Sequence, residues 1–200
     1  MKICVTLDDV IRAKSRQFFK IFKKVGINPN FEVPEEENFT TNSYCDLCHF
    51  ETKEKYQKFL YEDYPFEIFG EAEVMDKMLD KNFNLWCLKL SDNDEIEEKI
   101  ELMFGNPMEF NASIGYTCFF LSKIATRIRE FCFPSDSLTL WDKCDVMITA
   151  DPHLIENKPE GKKCIKIKMP YNKDVEADIE YESLYDFIND NEWYKKIKNG

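Results

Sequence analysis

The residues best suited to chemistry in this 200-residue sequence stand just after short apolar runs. Thr6 and Asp8 follow KICV, Ser122 and Lys123 follow YTCFFL, Lys143 follows LTLW, and Thr149, Ala150 and Asp151 follow DVMI. A hydroxyl can donate to a phosphate oxygen, a lysine can neutralise it, and carboxylates hold Mg²⁺ through hard oxygen ligands. Together they make an inventory for a phosphate site. Each also has a plain architectural reading: Asp8 as a turn acid or helix N-cap, Ser122 and Thr149 as caps, Lys143 as an exposed base. Cys45-Asp46-Leu47-Cys48-His49 carries a ligand-like spacing, but no second C-x-x-C follows and a structural zinc needs four ligands. His49 and His153 have no Ser or Cys partner suggesting a triad and are given no role.

The elements that must position these residues follow from periodicity. Residues 2–7 read as a strand, and Phe18, Ile21, Phe22 and Val25 recur at helical spacing up to Gly26. Residues 28–50 are polar and irregular, and 52–63 and 71–80 read as short helices. Further strands are expected at 84–90, 116–121, 137–141, 145–149 and 164–168, with helices at 94–104, 124–132 and 183–197. Alternation of this kind predicts an α/β fold, a mostly parallel sheet with helices on both faces. In such a sheet ligands bind beyond the carboxyl ends of the strands, which is where Thr6, Asp8, Ser122, Lys143 and Thr149 should meet. Residues 1–30 and 81–200 are expected to form the core, and 31–80 a helical or irregular cap-like insertion.

Composition narrows the function. Thirty-eight acids against 27 bases give a net charge of −11, which disfavours nucleic-acid binding by the whole surface. The charge is uneven: residues 1–25 carry seven bases against two acids, and 31–70 carry ten acids against three lysines. No stretch approaches the ~20 apolar residues of a membrane span, and Asp8 and Asp9 interrupt the only early apolar run. With most of the eight cysteines inside apolar runs, the expectation is a reducing compartment, cytoplasmic or within a virion, and not secretion.

KICVTLDDVIRA resembles the first motif of the haloacid dehalogenase (HAD) superfamily, an apolar strand followed by Asp-x-Asp-Gly-Val. CDVMITADP and IKIKMPYN resemble the fourth motif and final strand of its 5′-deoxyribonucleotidase branch. The resemblance implies a Rossmann-like core, with Ser122 in FFLSK and Lys143 in WDKCD as phosphate grips. It also exposes departures. The nucleophile position holds Thr6, leaving Asp8 as a vestigial acid/base. The two acidic positions of the fourth motif hold Thr149 and Ala150, so that Asp151 joins Asp8 as a metal ligand only after a shift of register. A neutral hydroxyl is a poor nucleophile without a base and brings no charge to a metal.

The sequence is therefore expected to encode a non-catalytic HAD-like domain with no cofactor, a binding or structural module whose acidic, aromatic-rich insertion meets a protein partner. Its Lys-, Asn-, Phe- and Glu-rich composition points to an AT-rich genome such as that of a phage. The alternatives are a Mg²⁺-dependent phosphohydrolase acting on nucleotides or other small phosphate esters, and a domain that holds a phosphate ligand without turning it over.

Overall fold

The computed structural model describes residues 1–26, 32, 35, 38–41, 43–90, 96, 98–107, 112–124 and 127–199. Six strands form one parallel sheet in the order β3-β2-β1-β4-β5-β6. They are β1 (Lys2–Thr6), β2 (Glu101–Gly105), β3 (Glu130–Cys132), β4 (Val146–Thr149), β5 (Lys163–Ile167) and β6 (Ile179–Tyr181). The inner strands read as continuous apolar runs because both their faces are covered. Successive side chains of β1 alternate between two cores. Ile3 and Val5 pack with Phe104, Ile148 and Ile165 under α3 (Leu79–Lys89), α4 (Ala112–Lys123), α6 (Leu184–Asn189) and α7 (Trp193–Asn199). Cys4 faces the other way, with Met103, Met147 and Cys164, under the 3₁₀ turn Ser137–Lys143 and α5 (Pro152–Glu156).

A third core stands apart from these two. Phe18, Phe19 and Phe22 of α1 (Lys14–Val25) pack with Phe39, Tyr44, Tyr56, Phe59 and Phe69. This lobe includes α2 (Lys53–Lys58) and two π-helical turns, Phe59–Asp63 and Phe66–Gly70. The described residues of 31–80 add no strand to the sheet. The chain leaves the sheet through residues 11–13 and returns beside them through 73–75: Ala13 N–H donates to Glu73 O, and Met75 N–H to Ile11 O. The expected boundary at residues 30 and 31 lies outside the described residues, while α1, on its near side, buries its aromatic face against 39–69.

Several expected elements are corrected. The runs 84–90 and 116–121 are not strands but fall in α3 and α4. A short apolar run does not distinguish a buried helix from a buried strand. Helix α4 is apolar on two sides because Phe120 and Leu121 face the sheet while Tyr116 meets the aromatic lobe. Residues 137–141 form a 3₁₀ turn begun by Asp136, whose side chain accepts from Leu138 N. The expected helices 94–104 and 124–132 end as strands β2 and β3; residues 91–95, 97, 125 and 126 lie outside the described set. The expected helix 71–80 is an irregular return with a bridge at Val74 and a turn closed by Leu79 N–H on Asp76 O, where α3 begins. The closing helix is two, α6 and α7, and β6 precedes them.

One close contact at the sheet's centre is testable. A Cβ added at Gly105 would stand 2.6 Å from Cys4 Sγ and 2.8 Å from Leu140 Cδ2. Gly105→Ala should cost about 1–3 kcal/mol by overpacking, read as a lowered urea midpoint; an unchanged midpoint would show that Leu140 yields freely.

Candidate functional site

The carboxyl ends of β1, β2, β4 and β5 open onto a cleft of about 160 Å³. Thr6, Asp8, Lys14, Asn106 and Asp151 line it, and Tyr61 reaches it from the aromatic lobe. Its floor is the turn after β1. Val10, Ile11 and Arg12 N–H all point to Leu7 O, at 3.3, 3.0 and 2.9 Å, which folds the chain back and sets Arg12 against Asp8.

Arg12 is fully buried. Its Nε and Nη2 donate to Asp8 Oδ1 at 2.8 and 2.5 Å, and its Nη1 donates to Thr117 Oγ1 at 2.8 Å. The guanidinium also lies over the rings of Phe69 and Phe120, at 5.1 and 5.6 Å. Asp8 Oδ2 accepts from Asn106 Nδ2 at 3.1 Å and faces Lys14 Nζ at 3.4 Å. Asn106 is itself buried, and its Oδ1 accepts from Leu7 N–H and Asp8 N–H, tying the end of β2 to the turn after β1. Burial alone would push the Asp8 carboxyl up; the charges of Arg12 and Lys14 outweigh it and hold the group at about 2.

Asp9 takes the position where the motif expects glycine, and its φ of 57° shows why glycine suits it. Aspartate tolerates this left-handed region better than most residues. Here its carboxylate accepts from Ser15 N–H at 2.9 Å, from the Ser15 hydroxyl, and from the Tyr171 hydroxyl at 3.0 Å. Ser15 Oγ also hydrogen-bonds the Tyr44 hydroxyl, so the chain of polar contacts runs from the sheet edge into the lobe. Burial raises Asp9, against the hydrogen bonds from Ser15.

Thr6 and Thr149 end neighbouring strands, both buried. Thr6 Oγ1 donates to Thr149 Oγ1 at 3.1 Å, and Thr149 Oγ1 accepts from Asp151 N–H at 3.1 Å. Asp151 caps α5 by accepting from His153 N–H at 2.9 Å, and burial raises its carboxyl. Asn172, at the end of IKIKMPYN in the 3₁₀ turn Pro170–Asn172 after β5, donates to Ala150 O and Ile167 O and fixes the edge of β4 against β5.

Two expected phosphate grips lie elsewhere. Ser122 is exposed near the end of α4, its hydroxyl donating to Phe119 O at 2.7 Å. Lys143 is exposed at the end of the 3₁₀ turn that leads into β4, beside the edge where Asp145 N–H meets Lys2 O. That is the amino-terminal edge of the sheet, opposite the cleft. Neither reaches the cleft, and for one reason: FFL and LTLW, apolar enough for strands, are helical. The cleft takes Asn106, from the end of β2, and Lys14, from the first turn of α1, instead. The signal for Asn106 was the Gly-Asn-Pro run at 105–107 after Met103-Phe104; Lys14 was indistinguishable from the other bases of an amphipathic helix.

Cys45 and Cys48 are free, and Cys48 is buried in the aromatic lobe, its thiol pushed up to about 12 by burial. It is a packing residue.

The HAD resemblance implies Mg²⁺ at these carboxylates, and the donors present do not fit one. Asp8 has its oxygens engaged by Arg12, Asn106 and Lys14, and Thr6 offers a neutral hydroxyl already turned to Thr149. Among the described residues no three His, Cys, Asp or Glu side chains group as a cation needs. Nor is any helix among them long and apolar enough to cross a membrane.

No family model and no curated protein matches this sequence. Solved structures do. β-Phosphoglucomutase from Clostridium difficile is similar with a TM-score of 0.55 at 11% identity, over 99% of this chain and 96% of that one. A putative haloacid dehalogenase-like hydrolase from Burkholderia xenovorans gives 0.46 at 10% identity, over 96% of this chain and 97% of that one. A haloacid dehalogenase-like hydrolase from Streptococcus pneumoniae gives 0.46 at 10% identity, over 84% of each chain. The six-stranded parallel sheet with helices on both faces is thus an α/β, Rossmann-like fold similar to that of β-phosphoglucomutase.

Proposed function

We propose that this chain is a non-catalytic HAD-like binding module. One observation carries the reading. The two groups that aspartyl-phosphate chemistry would need free are both engaged within the protein: Thr6 donates to Thr149, and Asp8 is ion-paired with Arg12 and Lys14. A hydroxyl with no adjacent histidine or lysine base to accept its proton is not activated for attack on phosphorus. A carboxyl held at about 2 is a weak proton acceptor at neutral pH and carries almost no proton to donate.

The second reading, a Mg²⁺-dependent phosphohydrolase on small phosphate esters, is favoured by the overall likeness to β-phosphoglucomutase, a protein that the name assigns to phosphosugar chemistry. In that reading Asp151 would be a metal-ligating carboxylate of the cleft. The test is an assay of the purified chain with Mg²⁺ against p-nitrophenyl phosphate and a panel of nucleotides and sugar phosphates. The expected result is no turnover above buffer. Turnover that Asp151→Asn abolishes would overturn the non-catalytic reading and establish the second.

A further inference from the structure

A surface helix normally turns a polar face to water, and α4 does not. Phe120 and Leu121 face the sheet, and Tyr116 meets the aromatic lobe. The positions left to solvent before Lys123, its last residue, are Gly115, Cys118, Phe119 and Ser122, none of them charged. Phe119 is 45% exposed, and the ring of Phe66, 36% exposed, lies beside it with 5.3 Å between centroids. Phe66 is held in that place by the lobe. Its ring lies across Gly70, where an added Cβ would stand 2.9 Å from it, and it meets the Tyr116 ring at 5.7 Å.

The segment that carries Phe66 is acidic throughout. Between Lys58 and Lys77 the chain has six acids and no base. Glu71 stands one π-helical turn beyond Phe66, its N–H on Phe66 O at 2.9 Å, while Glu67 follows Phe66 in the chain and Glu62 lies in the preceding turn. Asp63 meets Lys58 at 3.6 Å and Glu73 meets Lys20 at 4.0 Å, both exposed pairs of the kind that contribute little. Glu62, Glu67 and Glu71 enter no ion pair among the described residues.

We propose that the outer face of α4, together with Phe66, docks a cationic amphipathic helix of another protein. Its apolar side chains would cover Phe66 and Phe119, and its lysines or arginines would meet Glu62, Glu67 and Glu71. The inference rests on the binding-module reading above and gives it a partner class and a place. Charge decides among the occupants of an apolar face. Nucleic acid or an anionic lipid surface would set phosphate against these carboxylates. A second copy would bring its own net charge of −11. A cation suits the rings themselves, as Lys123 shows: its Nζ lies 5.6 Å from the centre of the Phe119 ring. The small side chains at 115, 118 and 122 leave a shallow strip beside Phe119 along which a second helix can lie, with anchors at the i, i+3 and i+4 spacing of helix recognition.

The test is fluorescence anisotropy of a labelled synthetic peptide of about eighteen residues, leucine and lysine only, with leucine at helical spacing. Binding to the full chain should weaken by about tenfold or more in Phe66→Ser/Phe119→Ser and stay within about twofold in Leu85→Ser/Leu88→Ser, which removes the two exposed leucines of α3. Glu62→Gln/Glu67→Gln/Glu71→Gln should weaken it by about fivefold or more. Glu156→Gln/Glu160→Gln/Glu176→Gln, the same change of net charge at other exposed acids, should leave it within about twofold. The two glutamine variants decide the matter should the Phe66 and Phe119 variant fail to fold by circular dichroism. No binding, or equal losses in the paired variants, overturns the inference, since attraction to the net charge alone would then account for the peptide. A chain that sediments as a dimer, and as a monomer in Phe119→Ser, assigns the face to a second copy and overturns it as well. The non-catalytic reading stands apart from all of these outcomes, because turnover of p-nitrophenyl phosphate judges it and none of these surface positions lies in the cleft.

Discussion

Asp8→Ala should destabilise the fold by about 3–5 kcal/mol, the loss expected when one partner of a buried ion pair is removed. Arg12 is fully buried, and two of its nitrogens donate to Asp8 Oδ1. Without that carboxylate, Thr117, the Phe69 carbonyl and the rings of Phe69 and Phe120 remain, and none of them carries a countercharge. Arg12→Met removes the charge and keeps much of the apolar volume. The double variant Asp8→Ala/Arg12→Met should therefore be more stable than Asp8→Ala alone. Urea unfolding of all four chains closes the cycle; additive losses would show that the pair does not hold the turn after β1. The linked pH dependence has a definite sign. The Asp8 carboxyl sits at about 2 in the folded protein against an ordinary 3.8, so its ion pairs stabilise above the ordinary value and are lost as pH falls from about 4 toward 2. That contributes about 2 kcal/mol at neutral pH, and the acid limb of the stability profile should flatten in the double variant.

The same turn explains how much of the protein could be read in advance. β1, β4 and β5 were legible because a parallel inner strand is short and mostly apolar, and ICV, VMI and CIKI, the last broken only by Lys166, are flanked by polar residues. From them the fold class and the edge bearing Thr6, Asp8, Thr149 and Asp151 followed. Helix α4 was illegible for the converse reason. Its exposed positions within that run, Cys118 and Phe119, are apolar like its buried ones, so no polar stripe marks its period and YTCFFL looks like a strand. The misplaced strands carried Ser122 and Lys143 with them. Lys14 and Arg12 were hidden by a different rule, since bases beside a helix are normally solvated. Their inward orientation is set by the fold-back onto Leu7 O and by the pairing of residues 11–13 with 73–75, a contact across some sixty residues that no local pattern encodes.

Thr6→Asp, the substitution that would restore the nucleophile of the HAD pattern, should instead be among the most damaging in the protein in the absence of metal, at about 3–5 kcal/mol. Thr6 is 3% exposed, and its one hydroxyl proton lies between two acceptors, Thr149 Oγ1 at 3.1 Å and Ile148 O at 3.3 Å. A carboxylate cannot donate, so it would face the Ile148 carbonyl as one acceptor against another. Thr149 could turn its proton to only one oxygen. The nearest cations, Arg12 and Lys14, already serve Asp8, and the carboxylates of Asp9 and Asp151 line the same cleft. Burying a charge without a partner costs several kcal/mol or forces protonation. Thr6→Val, which loses only the hydroxyl at nearly the same volume, should cost about 1 kcal/mol. Urea unfolding in EDTA should place the valine variant close to the unmodified chain and the aspartate variant far below it. An aspartate variant as stable as the valine one would mean that the turn after β1 can rearrange to release Lys14 or Arg12, and that the hydroxyl pair is not what keeps the cleft closed to a third carboxylate.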